Sequence, residues 1–229
     1  MSIVVAVDGT AASGKGTLAK RLARHFNFAH LDSGSLYRLT AQNVLRAGRD
    51  PSDEAAALDG ARTVDPVWAN DAAIRSVEVG RAASVVSAFP SVRAALLDYQ
   101  RDFARRPPGG APGTVIDGRD IGTVVFPEAT AKLFVDAAPA VRAHRRWLEL
   151  KSQWAEGPGL SKLPDEAVIL AELVARDDRD RNRPISPMMP APDADLLDTT
   201  ALAIEHAFAA ALALVSPKVT SALKARHRG

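Results

Sequence analysis

The chain has 229 residues, 47% hydrophobic and 24% charged, with 29 Lys+Arg against 27 Asp+Glu and a formal charge of +2. That balance excludes a disordered, collagenous or low-complexity chain, and a length prior of ~150 residues per domain allows roughly one to two domains. The absence of cysteine excludes disulfides, zinc fingers and a thiol nucleophile, and the charge is too small to argue for nucleic acid.

The N-terminus MSIVVAVDG carries no basic leader. The most apolar stretch elsewhere, 207–215, falls far short of the ~20 residues that span a bilayer. The composition therefore points to a soluble cytosolic protein. Only seven of the 29 basic residues are lysines. Such an arginine excess is either compositional bias or a sign of bidentate anion recognition, and local context must decide.

In chain order, Ile3 to Val7 is an all-apolar, β-branched run that reads as a strand buried on both faces. Residues 15–27 follow as a helix with Leu18, Leu22, Ala23 and Phe26 on one side, and a second amphipathic stretch runs from 35 to 47 before Gly48 and Pro51. Helical periodicity returns at 76–88 and, after Phe89-Pro90, at 91–104. The loop RRPPGGAPG (105–113) leads into a strand at 114–116 that ends at Asp117. A strand at 131–135, helices at 139–153 and 164–182 around a polar stretch at 156–162, a strand near 194–197 and a helix at 201–215 complete the pattern. Short buried strands alternating with helices predict an α/β, three-layer fold: a parallel sheet of about five strands covered by helices, with ligands beyond the strands' carboxyl ends.

The strongest chemical signal is GTAASGKGT, Gly9 to Thr17, between the first strand and the first helix. Glycines let the backbone wrap a polyphosphate and turn successive N–H groups inward, while the helix N-terminus adds its dipole. Lys15 is placed to reach the β- and γ-phosphates, and Thr17 to offer a hydroxyl to Mg²⁺. The strict G-x4-G-K-[ST] pattern is not quite met, because Gly16 occupies the hydroxyl position and Thr17 comes one later. Asp117, at the tip of a second buried strand, suits a carboxylate holding a Mg²⁺-bound water; equally, it could open the tight turn at Gly118.

Three further motifs place arginine beside small polar residues. In LDSGSLYR (31–38), Asp32 or Ser33 can cap a helix, but Arg38 sits near a positive helix end that an anion would reconcile. In DGRDIGT (117–123), Arg119 and Asp120 project from a strand end toward the side of Lys15, or else form an ordinary surface pair. In RDDRDRNRP (176–184), Arg176, Asp180 and Arg183 share one helix face, either as a solvated charge run or as a site at the helix end. The histidines (25, 30, 144, 206 and 227) show no metal-ligand spacing, and no Ser-His-Asp arrangement is present.

Together with ASVVSAFPSVR (83–93) and RAHRR (142–146), these motifs resemble the bacterial cytidylate kinases in order and spacing from Ile3 to about Val215. The resemblance implies ATP-dependent phosphorylation of CMP, and usually dCMP; composition and charge add a cytoplasmic protein with no nucleic-acid or membrane partner, and a monomer is the default expectation. The resemblance places Gly9, Thr10, Ala11, Ala12, Ser13, Gly14, Lys15, Gly16 and Thr17 on the ATP phosphates, and Arg38 and Arg119 on the CMP phosphate with Ser33 and Tyr37 beside them. It puts Ser84, Arg93, Asp120 and Arg183 around cytosine, and Arg176 with Asp180 on the ribose. Arg142, Arg145 and Arg146 fall where the family has its lid, and Arg142 and Arg145, with Lys15 and Arg119, are the expected catalytic group. One kinase domain would occupy 1–215, with a monophosphate-binding region at about 36–85, a lid at about 141–164 and a tail from 216 to 229. The family's small β-sheet insertion has only about 64–75 available here, too few residues for three strands. The neighbouring alternatives are a UMP or AMP kinase and, from another class, a nucleotide-dependent switch or ATPase.

Overall fold

The computed structural model describes residues 2–155 and 163–226. Its sheet is built of β1 (Ile3–Gly9), β2 (Ala29–Asp32), β3 (Gly113–Asp117), β4 (Ala131–Asp136) and β5 (Asp195–Asp198), all parallel, in the order β2-β3-β1-β4-β5. β1 is central. Val7 pairs with Asp117 on one side and Leu133 on the other.

The expected three-layer α/β architecture is therefore present, and strand alternation explains the layers. Ile3, Val5 and Val7 point to one face, where Leu18 and Leu22 of α1 (Lys15–Phe26) meet Ala211, Val215 and Val219 of α8 (Ile204–Arg226). Val4 and Ala6 point to the other, with Ile116, Ile121 and Ala104 of α5 (Pro90–Arg105). Val5 and Val7 are fully buried, each worth about 1.5–3 kcal/mol of burial.

A second apolar cluster joins α2 (Ser33–Arg46), α3 (Glu54–Arg62), α4 (Val77–Val86) and α5 through Leu36, Leu39, Ala57, Ile74, Val79, Val92 and Leu96. Residues 64–75 carry two short 3₁₀ turns, Pro66–Asn70 and Ala72–Arg75, and no strand, in keeping with a reduced insertion. A third cluster packs α6 (Pro139–Ala155) against α7 (Glu166–Arg181) through Ala143, Leu150, Ile169 and Leu173. The polar stretch 156–162, within the expected lid, lies outside the described residues.

The last helix departs from expectation. It does not stop near 215 but runs through Pro217 to Arg226. An internal proline costs one helical hydrogen bond, about 3 kcal/mol. Beyond it, however, Val219 is fully buried, Ala222 and Leu223 pack on the same cluster, Lys218 pairs with Asp195 at 2.8 Å and Arg226 donates to the Pro112 carbonyl. By length and composition alone this helix could cross a membrane. Its stripe of Ala207, Ala211, Val215 and Val219 is seated on the sheet instead.

Gly9 ends β1 at φ 140°, and a Cβ there would lie 1.9 Å from the Val135 carbonyl oxygen of β4. Gly9→Ala should destabilise the fold by about 3–5 kcal/mol through clash and backbone strain. Urea unfolding checks this, and a variant as stable as the wild type would contradict the packing of β1 on β4.

Candidate active site

A cleft of about 840 Å³ opens beyond the carboxyl ends of β1, β2 and β3. One wall is the loop between β1 and α1. Ala11 to Thr17 line the cleft, whereas Gly9 and Thr10 lie beneath it. Thr10 is fully buried and donates its hydroxyl to Asp136 Oδ1 at 2.6 Å, while Ser13 Oγ donates to the Thr10 carbonyl at 3.0 Å. Gly14 takes the left-handed cap position at φ 90°, and no acidic residue occupies the first turn of α1. The helix N-terminus therefore presents its N–H groups to the cleft unopposed. Burial lowers the Lys15 ammonium to about 7, Arg119 adds to the effect, and Asp117 and Asp32 oppose it.

Asp117 ends β3 with Oδ1 2.8 Å from His30 Nε2 and Oδ2 turned toward Gly16. It and the exposed Thr17 both line the cleft. No cluster of three or more His, Cys, Asp or Glu suited to a metal exists among the described residues. An oxygen-only pair next to a phosphate loop nevertheless suits Mg²⁺, which takes its remaining ligands from water and phosphate.

The opposite wall is cationic. Arg38, from the first turns of α2, donates to the Ile74 carbonyl at 2.9 Å, and Gly80 of α4 leaves the space its guanidinium occupies. Arg119, in the turn after β3, donates through Nε to Asp180 Oδ2 at 3.0 Å. Arg93 of α5 bonds Asp120, lies 5.4 Å above the Tyr37 ring and donates to the Ser87 carbonyl at 3.2 Å. Arg176 and Arg183, at the end of α7, complete the wall with Ser84 of α4. Ser33 Oγ donates to the Asp117 carbonyl at 2.8 Å, so it ties α2 to β3 and does not cap its helix; Asp32, at the cap position, makes no side-chain capping bond either.

Crowding of like charge shows in the ionisation of this wall. Burial, then Arg119, lowers Arg176 to about 9. Burial, reinforced by neighbouring cations, also lowers Arg38 and Arg183. Burial works against the Asp180 carboxylate, yet Arg119, Arg176 and Arg183 together hold it below its usual range. Burial pushes the Tyr37 hydroxyl up to about 12, so it stays a neutral donor. Four buried polar atoms on this wall have no protein partner: Ser84 Oγ, Arg93 Nε, Arg176 Nε and Arg183 Nη2. Buried polar atoms are ordinarily hydrogen-bonded, so these atoms call for partners from water or a ligand.

The surface-pair and solvated-face readings of Arg119–Asp120 and of the 176–184 run are thereby corrected: Asp120, Asp180 and Arg183 are buried and face the cleft. Arg142 also needs correction. It does not face the cleft; its guanidinium is buried and bonded to Asp177. Arg145 does line the cleft, bonded to Thr199 and, at 3.5 Å, to the Ser13 carbonyl. Arg146 lines it as well, and its charge is felt at Arg38.

Sequence reasoning missed Asp8. Its carboxylate accepts from the Ile121 and Gly122 N–H groups at 2.8 and 2.7 Å, fastening β1 to the turn that follows Arg119 and Asp120. Burial pushes Asp8 up to about 7, against those two donors. The available signal was a carboxylate closing a strand buried on both faces, which must find buried partners.

Residues 5–216 match the family model described as Cytidylate kinase. The chain belongs to the cytidylate kinase family. The cytidylate kinase of Rhodopseudomonas palustris (strain TIE-1) is 54% identical over 213 residues, spanning 93% of this chain and 95% of the relative. That of Bradyrhizobium sp. (strain ORS 278) is 52% identical with the same spans. Among solved structures, an uncharacterized protein from Eubacterium ventriosum ATCC 27560 aligns with a TM-score of 0.51 at 13% identity, covering 94% of this chain and 99% of its own, a likeness of fold. The chain is accordingly a kinase of this family.

The lowered Lys15 makes a prediction with a definite sign. At pH 8 the free ammonium is mostly deprotonated, and a polyphosphate beside it must raise its pKa. Binding of magnesium–ATP should then take up close to one proton at pH 8 and almost none at pH 6. Calorimetry in buffers of different ionisation enthalpy reads this directly, and Lys15→Met should abolish the difference.

Proposed function

We propose that this kinase transfers the γ-phosphoryl group of ATP to CMP, and to dCMP, giving the corresponding diphosphates. The carrying observation is the set of unpartnered atoms on Ser84, Arg93, Arg176 and Arg183, opposite a phosphate-binding loop in the same cleft. One wall suits a nucleotide's polyphosphate tail, and the other a phosphate together with a polar base. The sequence relatives, named cytidylate kinases, support the choice of acceptor. The reading places the enzyme in the cytoplasm as a monomer.

The chemistry asks mainly for positioning and charge stabilisation. Backbone N–H groups of Ala12 to Thr17 and the Lys15 ammonium hold the donor's phosphates, and Thr17, with Asp117 acting through water, would hold Mg²⁺. When bound, Mg²⁺ offsets phosphate charge. Arg38 and Arg119 grip the acceptor phosphate, whose oxygen attacks the γ-phosphorus in line as the bond to the bridging oxygen of ADP breaks. That oxygen is already anionic at neutral pH, so no general base is required. Arg145 and Arg146, on the α6 side, are placed to neutralise the transferring group and exclude water. An arginine in that role is worth ~10³–10⁵ in rate.

Base choice follows from hydrogen-bond polarity. Arg93 fixes the Asp120 carboxylate, which can accept from the cytosine N4 amino group, while Arg183 donates to N3 or O2. Uracil presents a carbonyl at position 4, which leaves a buried carboxylate facing an acceptor and costs ~1–3 kcal/mol or more. Arg176 and Asp180 face the sugar.

A panel of CMP, dCMP, UMP, AMP and GMP in an ADP-release assay tests the reading: CMP and dCMP should be the best acceptors, and ATP should turn over slowly without one. Lys15→Ala should retain less than about a tenth of the wild-type turnover. Asp120→Asn should lower activity and erode the preference for CMP over UMP; an unchanged preference would remove Asp120 from base recognition.

A further inference from the structure

Two buried charges have no part in that chemistry. Arg142 of α6 and Asp177 of α7 are 2% and 1% exposed and pair at 2.5 Å. The pair does more than join two helices. Arg142 Nη1 also donates to the Ala11 carbonyl at 3.1 Å, and Asp177 Oδ1 accepts from the Ala11 N–H at 3.5 Å. Arg142 Nε is anchored on the Ala137 carbonyl beyond β4. Both backbone polar groups of one residue in the phosphate loop are thus held by one ion pair.

The next residue explains why the loop needs holding. Ala12 has φ 59°, a left-handed conformation that a non-glycine residue adopts only when its surroundings impose it. Ala11 is buried against Ala143, Ile169 and Leu173, which fixes its position but not the direction of its peptide groups. Packing alone would be served as well by an apolar pair, because burying two charges gains little stability. We propose that Arg142 and Asp177 are positioning residues that hold the phosphate loop in its anion-binding conformation by gripping Ala11, and so link the α6–α7 arm to the donor site.

This rests on the reading that the loop from Ala11 to Thr17 holds the phosphates of ATP. The test combines magnesium–ATP affinity by calorimetry without CMP, KM for each nucleotide, and thermal unfolding. The variant Arg142→Met/Asp177→Leu replaces the pair by apolar side chains of similar size and should stay folded. It should weaken ATP binding and raise the KM for ATP about 10- to 100-fold, while the KM for CMP stays near the wild-type value. Asp177→Asn should show the same split. Adding Ala12→Gly, which tolerates the left-handed conformation, should restore part of its ATP affinity. Unchanged ATP affinity in a folded variant, an equal rise in both KM values, no restoration by Ala12→Gly, or failure of every variant to fold would each overturn the proposal. A wild type that binds no ATP would instead overturn the donor-site reading on which it stands.

Discussion

The cleft depends on pairing buried guanidinium groups with too few buried carboxylates. On the cationic wall Arg38, Arg93, Arg119, Arg176 and Arg183 face Asp120 and Asp180. Each carboxylate fixes the direction of a guanidinium, Asp120 that of Arg93 and Asp180 that of Arg119, so these side chains need little reorganisation to receive a ligand. The remaining positive charge is confined where water cannot fully screen it; burial first, and then Arg119, lowers Arg176. On the proposed function, a phosphate dianion would relieve that repulsion and supply acceptors that the protein does not. Further carboxylates would neutralise the wall and remove its capacity to hold an anion.

Much of this was legible in the chain because the relevant signals are local. The β-branched run from Ile3 to Val7 favours a strand buried on both faces, and the glycine-rich segment after it has few other uses. The arginine motifs were individually ambiguous; each fits a solvated surface, and only the tertiary fold brings residues 38, 93, 119 and 183, from α2, α5, the turn after β3 and the end of α7, to one hollow. Side-chain direction was not legible. Arg142, Arg145 and Arg146 form one short motif on α6, yet Arg142 turns inward to Asp177 whereas the other two reach the cleft, a choice made by the packing of α7 against α6. The continuation of the last helix beyond 215, through Pro217, was not legible either. The proline's local penalty is real, but burial of Val219 and the Lys218–Asp195 pair, neither adjacent in sequence to the sheet they meet, offsets it.

The phosphate loop shows how stability and function share residues without sharing causes. Gly9 is required by the closeness of β4, not by phosphate. Thr10 spends its hydroxyl on Asp136 beneath the loop. Asp8 faces away from the loop toward the Ile121 and Gly122 amides. The motif therefore combines residues that shape the floor with residues that meet the ligand, and the floor reaches β4 on one side and the turn after Arg119 on the other.

The segment at 64–75 bears on how the cationic wall is kept together. Without strands of its own, the segment still delivers the Ile74 carbonyl to Arg38, and Ile74 is buried in the cluster shared by α2 and α5. Val77, at the start of α4, packs against the α6–α7 cluster, and Arg81 one turn later pairs with Glu172 of α7. The exposed ion pair adds little by itself, on the order of 0–1 kcal/mol. The seating of Val77 adds apolar contact at the same seam. The edge of α4 therefore meets α7 directly on this side of the cleft, and residues 64–75 place no strand there.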